Sequence, residues 1–315
     1  MDFRLRIPIQ KSNYPIDYNS EIVSLGSCFA VNIANKLDYY KFQNYCNPFG
    51  IVFNPISIEK LVERAVKKIF FTEKDVFFHN DLWHCFEVHS ELSNPDKETF
   101  LSLLNQLVDA TNQQLTQATH FQITYGTSWV YRNNESNQIV ANCHKVPQKQ
   151  FLKEILSTAA IQLAIDNTVC LIQSINPQAK FTFTVSPVRH IKDGYIENTL
   201  SKAHLITAIH SFIQNDALCT YFPSYEIMMD ELRDYRFYES DMLHPSTLAI
   251  DYIWQLFKET TISQVAFDVM DTVDTIQKSL AHRPFNPNSE SHIRFTVKLQ
   301  NKINNLAVKY PQIQF

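Results

Sequence analysis

The chain has 315 residues, 45% of them hydrophobic and 13% aromatic, which is enough for a large core and is often met in a single α/β unit. Its formal net charge of −4 leaves no basic field, so a nucleic-acid partner, which is held by clustered Lys and Arg, is not expected. No segment approaches the ~18 to 20 apolar residues of a membrane span, and Met1-Asp-Phe-Arg-Leu-Arg-Ile-Pro has no apolar leader core, so neither a membrane partner nor export is expected and the location is read as cytoplasmic.

The first strong element is the apolar run Ile22-Val-Ser-Leu-Gly-Ser-Cys-Phe-Ala30. It predicts a strand over 22–26 that turns at Gly26 into a helix over 28–39, delivering Ser27 and Cys28 to the carboxyl end of a strand, where open α/β sheets do chemistry. A helix over 57–69 follows, then two short strands at 75–79 and 82–88 around Asn80-Asp81, the sequence of a tight hairpin. Helix 97–116 precedes strand 120–125, helix 149–175 precedes strand 180–185, and helix 201–216 precedes strand 219–222. Helix 246–260 completes the alternation.

Strands alternating with helices of this length predict a three-layer α/β/α sandwich on a mainly parallel sheet, occupying residues 1–260. Beyond it, helical patterns at 264–281 and 289–308, broken by Arg283-Pro-Phe-Asn-Pro287, form a helical extension over 261–315 that either packs on the sheet domain or makes a homodimer. Only four glycines occur, against an average usage of ~7%, so Gly26, Gly50, Gly126 and Gly194 are expected where the backbone needs positive φ or close approach. Cys28, Cys46, Cys85, Cys143, Cys170 and Cys219 show no C-x-x-C spacing, which argues for reduced thiols rather than a zinc ribbon or disulfide framework.

Gly26-Ser-Cys-Phe-Ala30, with Asp241-Met-Leu-His244-Pro far downstream, resembles the GSCFA family, a relative of the SGNH/GDSL hydrolases. Asn47-Pro-Phe-Gly-Ile51, Tyr125-Gly-Thr-Ser-Trp-Val-Tyr131, Ala141-Asn-Cys-His-Lys145, Val185-Ser-Pro-Val-Arg-His190 and Ser201-Lys-Ala203 fit the same pattern in order. The resemblance implies a flavodoxin-like sandwich and an esterase-type hydrolase or acyltransferase. Aligned on the first glycine, Ser27 stands where those hydrolases carry aspartate and Cys28 where they carry the serine nucleophile. Asp241 and His244 supply the other two triad positions.

A thiol at a helix amino terminus beside an imidazole is expected to ionise below its reference pKa of ~8.5. His244 is then the general base and Asp241 the carboxylate that fixes its tautomer. Other readings stand beside these: Cys28 as a buried structural cysteine, Asp241 as a surface residue ahead of a helix capped by Ser246, and Ser27 either as a nucleophile in shifted register or, preferred, as the helix cap.

Oxyanion donors would come from Gly50 and from Ser128 or Thr127, since the asparagine of the SGNH block is missing, with Asn142 as a second candidate; turn chemistry is the bland alternative for all four. Beyond the triad, His144, Arg189, His190 and Lys202 form a polar set suited to a carboxylate or phosphate on the substrate, or else a solvated loop with local ion pairs. A zinc site at Cys143-His144, or on the hairpin with His79, His84 and His89, is not expected, and no cofactor is implied. The aromatic residues of 221–225 and 235–238 suit core packing or a pocket for a small-molecule or glycan ester or thioester. The rival from another class is a non-catalytic module that binds an anionic or carbohydrate ligand.

Overall fold

In a computed structural model, which describes residues 5–315, the chain forms a five-stranded parallel sheet between two helical layers. The leader reading made above for the amino terminus falls partly on residues 1–4, outside the described residues. Strand β1 (Glu21–Gly26) leads through Ser27 into helix α1 (Cys28–Tyr39), and β2 (Gln43–Cys46) pairs parallel to β1 from Glu21 opposite Gln43 to Ser24 opposite Cys46. Helix α2 (Pro55–Lys67), the hairpin β3 (Phe77–His79) and β4 (Leu82–His84), and helix α3 (Lys97–Gln117) then precede β5 (His120–Tyr125). The hairpin turn is at Asn80 and Asp81, both at positive φ as their residue types allow.

After β5 the chain makes a small antiparallel sheet of β6 (Trp129–Asn133), β7 (Ile139–Val140) and β8 (Phe151–Ile155) before helix α4 (Thr158–Ile175). The continuous helix expected over 149–175 is therefore two elements. Phe151–Ile155 pairs along β6 from Trp129–Ile155 to Asn133–Phe151, and Ser157 caps α4 by accepting from Ala160 N–H. Strand β9 (Lys180–Val185), helix α5 (Tyr195–Ile213), strand β10 (Cys219–Tyr221), the short α6 (Ser224–Glu226) with a π-helical turn over Ile227–Glu231, and helix α7 (Thr247–Thr261) complete the sandwich.

The strand order is β2-β1-β5-β9-β10, with every neighbouring pair parallel. Alternate residues of β1 divide the core: Val23 and Leu25 pack with α2, α3, α4 and α5, while Ile22 packs with Phe29, Ile33 and Leu37 of α1 and with α7. The connection from β1 to β2 thus covers one face and the next connection the other. The strand order reverses between β1 and β5, and this reversal opens a crevice at their carboxyl ends.

Helices α8 (Phe267–Ala281) and α9 (Glu290–Lys309) are the helical extension. Met270, Val273 and Ile276 of α8, with Leu306 and Ile313, are buried in the layer that holds α1 and α7, so the extension packs on the sheet domain. Ile293, Val297 and Val308 of α9 stay exposed. No helix among the described residues is long and apolar enough to cross a membrane, and all six cysteines are unbridged.

Candidate functional site

The turn between β1 and α1 is built around Gly26, which adopts φ +129° and lies so close to β5 that a Cβ would sit 2.0 Å from the Thr124 carbonyl oxygen. Only glycine tolerates both conditions. The Asn47 side-chain amide clasps this turn from the next loop, accepting from Gly26 N–H at 2.7 Å and donating to its carbonyl at 3.1 Å. Asn47 belongs to a motif the sequence singled out, yet nothing in the sequence marked it as the residue that holds the turn.

Ser27 is fully buried, and its hydroxyl accepts from Phe29 N–H at the start of α1, the capping role preferred for it above. Cys28 is the first residue of that helix and half-buried. The expected drop in its pKa does not follow from these surroundings. Burial is the largest influence and pushes the thiol up, while Lys202 and the amides of Cys28 and Phe29 pull it down.

Asp241 and His244 stand on the loop before α7. Asp241 Oδ1 accepts from the amides of Leu243 at 2.8 Å and His244 at 3.0 Å, and its Oδ2 meets His244 Nδ1 at 2.6 Å. These bonds, the one from the His244 amide first and that to its ring second, hold the carboxyl down to about 2. Both side chains are close to half-exposed. The loop reaches the strand ends through Arg189 N–H, which donates to Leu243 O at 3.2 Å. Among the described residues, no hydrogen bond joins Cys28 to His244.

His190 follows β9 on the loop that meets the Asp241–His244 loop through Arg189. Its amide donates to Asn198 Oδ1, its ring packs edge-on against Phe53, and its buried Nε2 has no hydrogen-bond partner. Burial, then the charges of Lys202 and His244, pull it down to about 3, so it is neutral at ordinary pH. Gly126 makes room for it, since a Cβ there would come within 3.2 Å of that Nε2. Arg189 turns outward to lie over the ring of Tyr238 at 4.6 Å and Tyr235 at 5.7 Å.

Of the proposed oxyanion donors, Ser128, Thr127 and Gly50 are engaged in local bonds, whereas Asn142 is engaged through its acceptor Oδ1 alone. Ser128 donates its amide to Ser201 Oγ at 2.7 Å and its hydroxyl to Ser201 O, and Thr127 Oγ1 bonds Ser201 Oγ and accepts from Trp129 N–H. Both tie the β5 loop to α5 instead of facing Cys28. Gly50 N–H closes a turn by donating to Asn47 O at 2.8 Å, so that amide too is engaged. Asn142 Oδ1 accepts from His144 N–H.

His144 is not in the crevice set. It is buried beside the hairpin, its ring 4.6 Å from that of His84, with Nε2 bonded to Cys85 O at 2.7 Å. Burial pulls it down to about 4. Among the described residues there is no group of three or more His, Cys, Asp or Glu able to hold a metal ion.

Lys202 is the residue whose weight the sequence understated. It is 1% exposed, and its Nζ donates to Gly126 O and Ser186 O, both at 2.7 Å, at the carboxyl ends of β5 and β9. The signal was present in the spacing. Asn198, Ser201, Lys202, Leu205, Ile209 and Phe212 fall on the buried stripe of α5, so a lysine occupies a core register.

A small apolar pocket of about 20 Å³ lies beside the Gly26 turn, lined among others by Leu25, Phe49, Val52, Leu61 and Val62. In comparisons with known proteins, no curated protein matches the chain. The profile of the GSCFA domain protein C-terminal domain matches residues 273–315, and that of the GSCFA family matches residues 21–257. With its first strand turn, the crevice and the Asp241–His244 loop all inside the longer match, the chain belongs to the GSCFA family.

Proposed function

We propose that the protein is an SGNH-like hydrolase or acyltransferase that acts on an ester or thioester through a covalent acyl-enzyme on Cys28. The observation that carries this reading is the Asp241–His244 pair, bonded at 2.6 Å through the ring nitrogen that leaves Nε2 free, on a loop anchored to the strand ends where Cys28 starts α1. In this scheme Asp241 fixes the imidazole, and His244 takes a proton from the attacking group and returns one to the leaving group. The thiolate sulfur bonds the carbonyl carbon, the bond to the leaving alcohol or thiol breaks, and water or an acceptor then releases the acyl group.

One observation favours a non-catalytic binding module instead: Cys28 is pushed up by burial and has no hydrogen bond to His244. Incubation with p-nitrophenyl acetate and a short acyl thioester, read by intact-mass spectrometry, separates the two. The enzyme reading expects an acyl adduct that maps to Cys28, is lost in Cys28→Ala, and forms about 100-fold or more slowly in His244→Ala. No adduct on wild type with either donor favours the binding module.

A further inference from the structure

We infer that Lys202 is the resident counter-charge of Cys28: its ammonium, held by two carbonyls at neighbouring strand ends, favours the thiolate over the thiol. The inference rests on the reading of Cys28 as a nucleophile and gives Lys202, in the Ser201-Lys-Ala203 motif, a role other than the substrate binding expected above.

The geometry brings the two together through the strand register. Gly26 pairs with Thr124, and Ser27 N–H donates to Thr124 O at 3.0 Å, so Cys28 begins its helix beside the end of β5. Two residues beyond Thr124, the Gly126 carbonyl accepts from Lys202 Nζ. The position of that ammonium is set from both sides. Ser201, its chain neighbour, is locked to Ser128 and Thr127, and the second carbonyl, that of Ser186, comes from the loop after β9.

No carboxylate accompanies Lys202 among the ion pairs of the described residues. Two carbonyls account for two of its three N–H bonds when charged. A buried cation with no anion beside it is costly, and the amine responds by surrendering its proton more readily. Three titratable groups face it: Cys28 from α1, His190 from the loop after β9, and the ring of Tyr225 at 5.7 Å from α6. His190 is neutral, and burial keeps Tyr225 in its protonated form. That leaves Cys28 as the group able to carry the missing negative charge.

The electrostatics are reciprocal. Burial pushes Lys202 down to about 7, and Cys28 is what pulls it back up. Burial pushes Cys28 up, and Lys202 is the largest influence pulling it down. Among the described residues no hydrogen bond joins Sγ to Nζ, so Lys202 acts on the thiol as a charge and not as its proton acceptor. Asp241–His244 remains the general base and acid of the proposed reaction.

The test is the pH profile of Cys28 alkylation by iodoacetamide, followed by peptide mass spectrometry, in wild type, Lys202→Met and His244→Ala. Lys202→Met is expected to slow alkylation at pH 7 by about tenfold or more and to move the profile upward, with His244→Ala changing it less than about threefold. A profile unchanged in a folded Lys202→Met overturns the inference. If that variant does not fold, Cys28→Ser supplies the reciprocal measurement, the titration of Lys202 followed by its 13Cε resonance.

A midpoint about one unit or more lower in Cys28→Ser than in wild type supports the pair, and an equal midpoint overturns it. A lysine that only braces two carbonyls would move neither profile. Since no acyl donor is used, Lys202-dependent alkylation without an acyl adduct overturns only the acyl-transfer reading. An adduct with Lys202-independent alkylation overturns only the pair.

Discussion

Two buried cations lie on the same side of the sheet and are treated in opposite ways. Arg64 of α2 is gripped by Glu87 through both Nε and Nη2, by Asp75 at 2.8 Å, and lies over the Phe71 ring at 4.2 Å. Burial alone would pull it down, but Glu87 and Asp75 overcome that and raise it further above its usual range. Lys202 receives two carbonyl oxygens and no carboxylate, and burial wins. Neutralising a buried charge makes it a fastener, whereas solvating it only with dipoles keeps its proton negotiable. The contrast separates the cation that joins α2 to the hairpin region from the one that serves the crevice.

The comparison breaks first at Arg64. Glu87→Leu leaves a mostly buried guanidinium with one carboxylate, that of Asp75, and a loss of about 3 kcal/mol in urea unfolding is expected. A loss below about 1 kcal/mol would mean that the fastener is not one. The next effect is smaller and depends on pH. Lys202 has a folded pKa of about 7, below its unfolded value, so between those values the unfolded chain binds more protons and stability rises with pH. Cys28, pushed up by burial, acts in the opposite sense at the alkaline end. The stability of wild type relative to Lys202→Met is therefore expected to climb from pH 7 towards pH 10; a flat difference would place the ammonium in water.

The smallest effect belongs to the exposed pair. Asp241, held down to about 2, contributes stability that is present above the usual carboxylate range and is lost as pH falls towards 2. Asp241→Asn should be slightly less stable than wild type in thermal unfolding at pH 7 and should lose less of its stability than wild type does on acidification below pH 4. A large difference at pH 7 would make the loop a structural element, unlike the solvent-facing dyad described here.

Much of this architecture can be read from residue order. The β1–α1 turn, β5, β9 and their helices follow from apolar runs bounded by Gly26, Gly126 and Ser186-Pro187, because buried parallel strands are nearly continuous in hydrophobicity. Strand β2 is not legible, since Gln43-Asn-Tyr-Cys46 lies at the sheet edge, half-buried throughout, and has no pattern of its own. Phe151-Leu-Lys-Glu-Ile155 supports either a helical or a strand reading, and pairing with β6 decides it.

At the site, Gly26, Cys28, Asp241 and His244 are marked by motif. The burial of Lys202, the clasp of Asn47 and the diversion of Ser128 and Thr127 to Ser201 depend on contacts between residues 21 to 76 positions apart. No local pattern encodes these. The stripe of α5 came nearest, by placing a charge where periodicity demands a core residue.

The layer beneath α1 has a consequence for how the molecule comes into being. Ile16 and Tyr18 share that layer with α7, α8 and Ile313, and Gln312 Nε2 donates to Tyr18 O across 294 positions of sequence. The opposite layer draws mainly on α2, α3, α4 and α5, whose partners are nearer neighbours along the chain. Closing so long a loop is the slow step in a search for native contacts. The face carrying α2 to α5 can condense early, while the underside of α1, whose first residue is Cys28, is sealed last. Thiol chemistry at the crevice therefore becomes a reporter of the completion of folding.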